Sequence, residues 1–204
     1  VLCESFQAET PTSNGAGNII FSGYIFCAGS GKIINFPPLK DFPVILKTMR
    51  LSSRLKDFIN GPRGMAMGTR DAQLTPEYSR VVGAQAIDDE HVKIFIAKKT
   101  AARAIENINQ NGLMAVTFVN VLNYEAYQLK GTCVKYEEAT DEEQEMVDNN
   151  MKGFNDVCVK IGLTDGIVFN WPHNPVWAIE MIVEEAFVQT PRIGTGTKLE
   201  AETA

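Results

Sequence analysis

The sequence predicts a mainly β chain with helices (α+β): a six-stranded antiparallel barrel, closed or half-closed, with peripheral helices. Two observations carry this. Short runs of alternating apolar and polar residues recur between residues 65 and 184. Turn formers such as Gly61-Pro62, Asp88-Asp89-Glu90 and Asn111-Gly112 punctuate them, so short connections join antiparallel neighbours while helices fill the longer gaps.

Residues 51–60 suit a helix, because Leu51, Leu55, Phe58 and Ile59 share one face and Ser52 or Ser53 can cap it. Gly61-Pro62 stops it. Strands are expected at 65–69, 79–87 and 92–97, the last two forming a hairpin around Asp88-Asp89-Glu90. Val92, Ile94 and Ile96 share one face of the third strand, Lys93 and Phe95 the other. Thr100 is placed as the cap of a helix running to Gln110, with Asn111-Gly112 as its left-handed close. Strands are expected again at 113–119 and 125–136, with Gly131 marking a bulge or bend in the second. Thr140-Asp141-Glu142-Glu143 reads as a capping box opening an acidic helix with a solvated face. Its buried side is expected to hold Met146, Val147, Phe154, Val157 and Ile161, with Gly153 able to split it. A last strand alternates through 177–184, and a turn-rich tail ends the chain.

Residues 1–48 read differently. A turn-forming stretch at 10–17 precedes an apolar run at 19–28, which lacks the basic flank of a signal peptide, and Pro37, Pro38 and Pro43 break up residues 37–43. Two domains are therefore expected: a poorly ordered or non-native extension over 1–48, and an ordered domain over 49–204.

A 45% hydrophobic and 22% charged composition is that of an ordinary globular protein. The net charge of −6 argues against a nucleic-acid partner bound by phosphate neutralisation. The four cysteines, Cys3, Cys27, Cys133 and Cys158, form no CxxC pair, which argues against zinc or a redox dithiol and suits free thiols in a reducing cytoplasm. His91 and His173 belong to no metal-ligand pattern. No apolar run reaches the roughly 18 residues of a membrane span.

The chemistry-bearing residues gather between 79 and 103. Arg80 opens a strand as Ser79-Arg80-Val81-Val82-Gly83, and Ala97-Lys98-Lys99-Thr100 leads into a helix with Arg103 in its first turn. A helix N-terminus exposes unpaired N–H groups and partial positive charge, so it attracts phosphate, and cations there are poor choices unless an anion joins them. The same residues have plainer readings: Arg80 as a solvent-facing edge residue, Lys98 and Lys99 as solvated loop charges. Trp171 and Trp177 read as core or dimer-interface aromatics rather than ring stackers, and His173 as a loop residue or a proton donor.

The order of these elements resembles the FMN-binding split-barrel family related to pyridoxamine 5′-phosphate oxidase. The likeness rests on residues 64–71, on Arg80-Val81-Val82-Gly83-Ala84-Gln85, on Phe95-Ile96-Ala97-Lys98-Lys99-Thr100 with Arg103 and the Asn107 to Asn111 stretch, and on Phe187-Val188-Gln189-Thr190-Pro191. It covers about residues 50–197. The resemblance implies a split β-barrel that binds FMN, with Arg80, Lys98, Lys99, Thr100 and Arg103 around the 5′-phosphate. It also implies that the backbone of Val81, Val82, Gly83, Ile96 and Ala97 faces the isoalloxazine edge, and that a homodimer carries the flavin at its boundary. An oxidoreductase acting on a small molecule, with a nicotinamide donor, is the expected function. The alternatives are a module that holds flavin, deazaflavin or haem without turnover, and a structural dimer with a degenerate pocket. The oxidase's terminal Arg/His segment has no counterpart here beyond Arg192, Gln85 stands where the oxidase has lysine, and alanines precede Arg103. These departures argue against pyridoxamine 5′-phosphate as substrate.

Overall fold

A computed structural model describes residues 48–200, together with two short strands nearer the N-terminus. The chain divides into two units, Val1–Ile45 and Leu46–Ala204. In the first, β1 (Ile25–Phe26) pairs antiparallel with β2 (Ile33–Ile34); the expected character of the extension otherwise lies outside the described residues.

The second unit is a closed six-stranded antiparallel barrel in the order β3-β4-β5-β8-β7-β6. Its strands are β3 (Gly64–Arg70), β4 (Pro76–Ala86), β5 (His91–Ala97), β6 (Leu113–Val119), β7 (Ala126–Glu138) and β8 (Val176–Val188). The helices are α1 (Ser53–Ile59), α2 (Ala102–Asn111) and α3 (Asp141–Lys160). The expected fold class is therefore the observed one. The β4–β5 hairpin turns where Asp88-Asp89-Glu90 predicts it, and β6 spans the expected residues.

Alternation along the strands sorts apolar residues into two cores. Met65, Met67, Val81, Val92, Ile94, Ile96, Val116, Phe118, Leu129, Ile179 and Met181 fill the barrel. Phe95, Val82, Val176 and Ala178 face outward, and α3 covers them with Val147, Met151, Phe154 and Cys158. Phe95 thus lies opposite Ile94 and Ile96, as its place in the alternation requires.

Helix ends follow local chemistry. The Ser52 hydroxyl accepts from the Leu55 N–H at 3.2 Å and caps α1. Gly112 closes α2 in the left-handed region, φ 71°. The Thr140–Glu143 capping box is formed in both directions, at 3.0 and 3.3 Å. Two expectations about α3 fail. The helix runs unbroken through Gly153, where a Cβ would stand 3.3 Å from Pro62 Cβ, so the glycine serves close packing rather than a break. Ile161 is exposed, while Asn155 is buried, donating to the Asp165 carboxylate at 2.7 Å and accepting from the Gly166 N–H at 2.9 Å. The acidic face also has one anchored member: Glu143 meets Lys93 at 2.6 Å on the barrel.

Thr100 is not a helix cap. It ends a 3₁₀ turn, Lys98–Thr100, and its hydroxyl is 3.4 Å from the Ala97 carbonyl, to which it donates. The N-cap of α2 is Ala101, whose side chain can accept nothing, and no acidic residue occupies the first turn. The leading N–H groups of α2 are consequently left without a side-chain cap.

Candidate functional site

The site is built where the start of β4, the end of β5 and the turn before α2 meet the loop after α3. There a cavity of about 290 Å³ is lined by Tyr78, Ser79, Arg80, Ala97, Thr100, Asn170, Trp171 and Pro172.

A bulge in β4 decides which way Arg80 faces. Val81 pairs with Ile96, but Gly83 pairs with Phe95, so Val82 is an extra residue in the strand. Val81 and Ala84 both belong to the barrel core although three positions separate them. Regular alternation would put Arg80 on the same face as Ala84, inside the barrel. The bulge reverses the parity, so Arg80 emerges on the outer face beside the loop after α3.

There the Arg80 guanidinium carbon sits 3.6 Å from the centroid of the Trp171 ring. No carboxylate pairs with Arg80 among the described residues. The ring itself is fixed. A short 3₁₀ turn, Ile167–Asn170, leads into Trp171, whose backbone N–H donates to the Val168 carbonyl at 3.1 Å. The Trp171 ring packs against Phe154 of α3, with centroids 6.0 Å apart, and its carbonyl lies 2.6 Å from His173 Nδ1. Gln144 on α3 donates to the His173 carbonyl at 2.8 Å. The hydroxyl of Ser79, also in the cavity lining, is buried and has no hydrogen-bond partner among the described residues.

Of the ten residues expected to hold a cofactor, three line this cavity together: Arg80, Ala97 and Thr100. Val81 and Ile96 point into the barrel core. Val82 is buried beneath α3, and a Cβ on Gly83 would lie 3.1 Å from Val147, so this stretch is roofed by the chain's own helix. Lys98 is half-buried away from the cavity, ion-paired with Glu138 and 4.6 Å above the Trp177 ring. Arg103 is exposed and lies 3.8 Å from Glu77. Lys99 is exposed, with no partner among the described residues. The cations read from the sequence thus separate: Arg80 lines the cavity, Lys98 and Arg103 lie beside carboxylates, and Lys99 is exposed.

Tyr78, Asn170, Trp171 and Pro172 join the site from positions that sequence patterns do not mark. Trp171, read as a core or dimer-interface aromatic, packs half-buried against the second core and also carries Arg80 on its ring. His173 lies beyond Trp171 as its carbonyl's partner, not in the cavity wall. No group of His, Cys, Asp and Glu suited to a metal ion occurs among the described residues. Burial first, and Glu180 second, push the Cys133 thiol up to about 11, which disfavours its thiolate. No helix among the described residues is long and apolar enough to cross a membrane.

Residues 51–169 match the family model described as pyridoxamine 5′-phosphate oxidase. No curated protein matches the chain. Among solved structures, Group A Streptococcus HupZ is similar at 17% identity and TM-score 0.44, covering 72% of this chain and 98% of its own. An FMN-binding protein from Syntrophomonas wolfei is similar at 12% identity and TM-score 0.39, covering 65% and 82%. General Stress Protein 26 from Bacillus anthracis is similar at 11% identity and TM-score 0.38, covering 71% and 93%. With the family model spanning more than half of the sequence over the six-stranded barrel, the chain belongs to the FMN-binding split-barrel family related to pyridoxamine 5′-phosphate oxidase.

Proposed function

We propose that the chain binds FMN with its 5′-phosphate in the Arg80 cavity and acts as a flavin-dependent oxidoreductase on a small molecule. The observation that carries this is Arg80 itself: a guanidinium with no carboxylate partner among the described residues, lining a cavity beside the Thr100 hydroxyl and the turn into the uncapped α2. These are phosphate-binding features: a cation, a hydroxyl that a phosphate could draw from its long 3.4 Å bond to Ala97, and a nearby helix start without a side-chain cap. The residues present therefore fit the phosphate end of FMN. At about 290 Å³ the cavity is at the small end of ligand sites, which suits that end of the molecule and leaves the ring system to be held outside it.

The cavity wall contains no carboxylate, histidine or cysteine. A bound flavin supplies the hydride or electron chemistry itself, which a wall poor in acids and bases permits. Arg80 and Thr100 bind and orient, while Trp171 and Pro172 wall off solvent on one side. The same wall supports the second reading, a module that holds a flavin, a deazaflavin or haem without turnover. A visible spectrum of the purified protein, then its bleaching or persistence on adding NADH or NADPH, separates the two.

Charge-assisted hydrogen bonds contribute about 1.5–3 kcal/mol each. Arg80→Ala is therefore expected to weaken FMN binding about 10- to 100-fold while changing riboflavin binding less than about threefold. Equal losses for both ligands would remove the phosphate from this cavity. Lys98→Ala serves as the control, since Glu138 already occupies that charge; little change is expected.

We also propose a homodimer with the flavin at its boundary. Exposed apolar residues Val159, Ile161, Leu163, Ile167 and Phe169 cluster in sequence just before the Trp171 wall, and a second copy would cover them. A monomeric mass by light scattering at micromolar concentration would exclude it.

A further inference from the structure

We propose that Trp171 is a positioning residue that holds the Arg80 guanidinium ready for a phosphomonoester. This rests on reading the cavity as a phosphate site and adds a residue to it. The matched family region ends at residue 169, so Asn170, Trp171 and Pro172 form a wall that lies outside it.

The argument turns on how an arginine can be held without being used up. A carboxylate partner fixes a cation but takes its N–H donors and neutralises its charge; Lys93 with Glu143 and Lys198 with Glu185 show that arrangement elsewhere in the molecule. An aromatic ring instead takes the planar face of a guanidinium and leaves the N–H groups around the edge free. Arg80 has the ring and, among the described residues, no carboxylate: its guanidinium carbon is 3.6 Å from the Trp171 centroid. Trp171 is itself anchored at its backbone and packed on one side. Trp171 is tied by its backbone N–H to Val168, by its carbonyl to His173, and by its ring to Phe154. A long side chain that is already ordered loses less entropy when it binds an anion. Trp177 offers a contrast, since Lys98 above it is also paired with Glu138 and so offers less free charge.

The test is a double-mutant cycle on the full chain, with FMN and riboflavin as probes and affinities read by flavin fluorescence. Trp171→Ala is expected to weaken FMN about tenfold and riboflavin less than about twofold. Trp171→Phe, which keeps a ring face, should recover most of that loss. In an Arg80→Ala background, Trp171→Ala should add nothing, because the ring then has no guanidinium to hold. Additive losses, or equal losses for FMN and riboflavin, would overturn the proposal, since a purely structural role predicts both. Should Trp171→Ala not fold, Trp171→Leu keeps bulk without a π face and carries the same expectations. A failure of Arg80→Ala to separate FMN from riboflavin, or no FMN binding by the unaltered chain, would bring down the phosphate reading itself. An intact Arg80 effect without coupling to Trp171 would bring down only this inference.

Discussion

Gly131→Ala should be among the most damaging single-methyl additions the barrel can receive. A Cβ built on Gly131 would lie 1.9 Å from the Ile182 carbonyl oxygen and 3.0 Å from its carbon. Both are backbone atoms of the neighbouring strand, so no side chain can rotate away. The site is where the β7–β8 register slips: Lys130 pairs with Glu185 but Gly131 pairs with Val183, leaving Glu184 as the extra residue. The strands approach closely there because glycine allows it. Making room means prising apart the seam between β7 and β8, beside fully buried Met181 and Val183. Overpacking of well-packed regions ordinarily costs about 1–3 kcal/mol, and a clash this deep belongs at or above the top of that range. For a protein of this size, about 3 kcal/mol lowers the melting temperature by roughly 6–12 °C. Gly68→Ala is the matched control, also in a strand but with nothing within 4 Å of its would-be Cβ; a surface change of this kind costs little, and a shift of about 1 °C or less is expected. Equal melting temperatures for the two variants would show that the β7–β8 approach is not a constraint on the fold.

Much of the scaffold is legible in the sequence because its cues are local. β6 alternates cleanly, Thr140 and Glu143 sit at capping-box spacing, Gly112 closes a helical stripe, and Gly131 interrupts a long strand. The site is harder to read because its determinants are not local. In β4 the run Val81-Val82-Gly83-Ala84 is buried on both faces, so the apolar pattern carries no parity, and the bulge that turns Arg80 outward leaves no trace in it. Lys98 looks free because Glu138, which takes it, is 40 residues away. Thr100 looks like a cap because the 3₁₀ turn that displaces the helix start has no strong composition signal. Trp171 reads as a core residue and does pack half-buried on the second core; only the packing of α3 and the turn after it decides that its ring also meets Arg80.

Pyridoxamine 5′-phosphate is expected not to be turned over at an enzymatic rate, although the chain belongs to a family related to the oxidase of that name. A phosphorylated substrate needs a cationic clamp of its own, beyond the one that grips the cofactor phosphate. In the proposed arrangement Arg80 serves the cofactor. Most other cations close to the site or on the neighbouring strands are committed. Arg103 lies 3.8 Å from Glu77, Lys98 is paired with Glu138, and Lys135 lies 3.2 Å from Glu137 and 3.6 Å from Glu180. Lys198 is paired with Glu185, and Lys130 rests 4.5 Å above the Phe187 ring. Arg192, the remaining candidate near the C-terminus, is exposed in a turn where its own backbone N–H donates to the Thr195 hydroxyl at 3.1 Å, and no histidine accompanies it. Displacing a carboxylate from any of these pairs to admit a phosphate would sacrifice one ion pair to make another, with little gain left for the transition state. FMN-loaded protein incubated in air with pyridoxamine 5′-phosphate should therefore form pyridoxal 5′-phosphate more slowly than about 0.1 per second, against a typical enzymatic median near 10 per second. The same sample, made anaerobic, should lose its flavin absorbance on adding NADH or NADPH if a nicotinamide is the donor. Turnover of pyridoxamine 5′-phosphate at or above that rate would mean that a second phosphate clamp assembles from cations now exposed or paired elsewhere, and the substrate assignment would pass to the oxidase reaction itself.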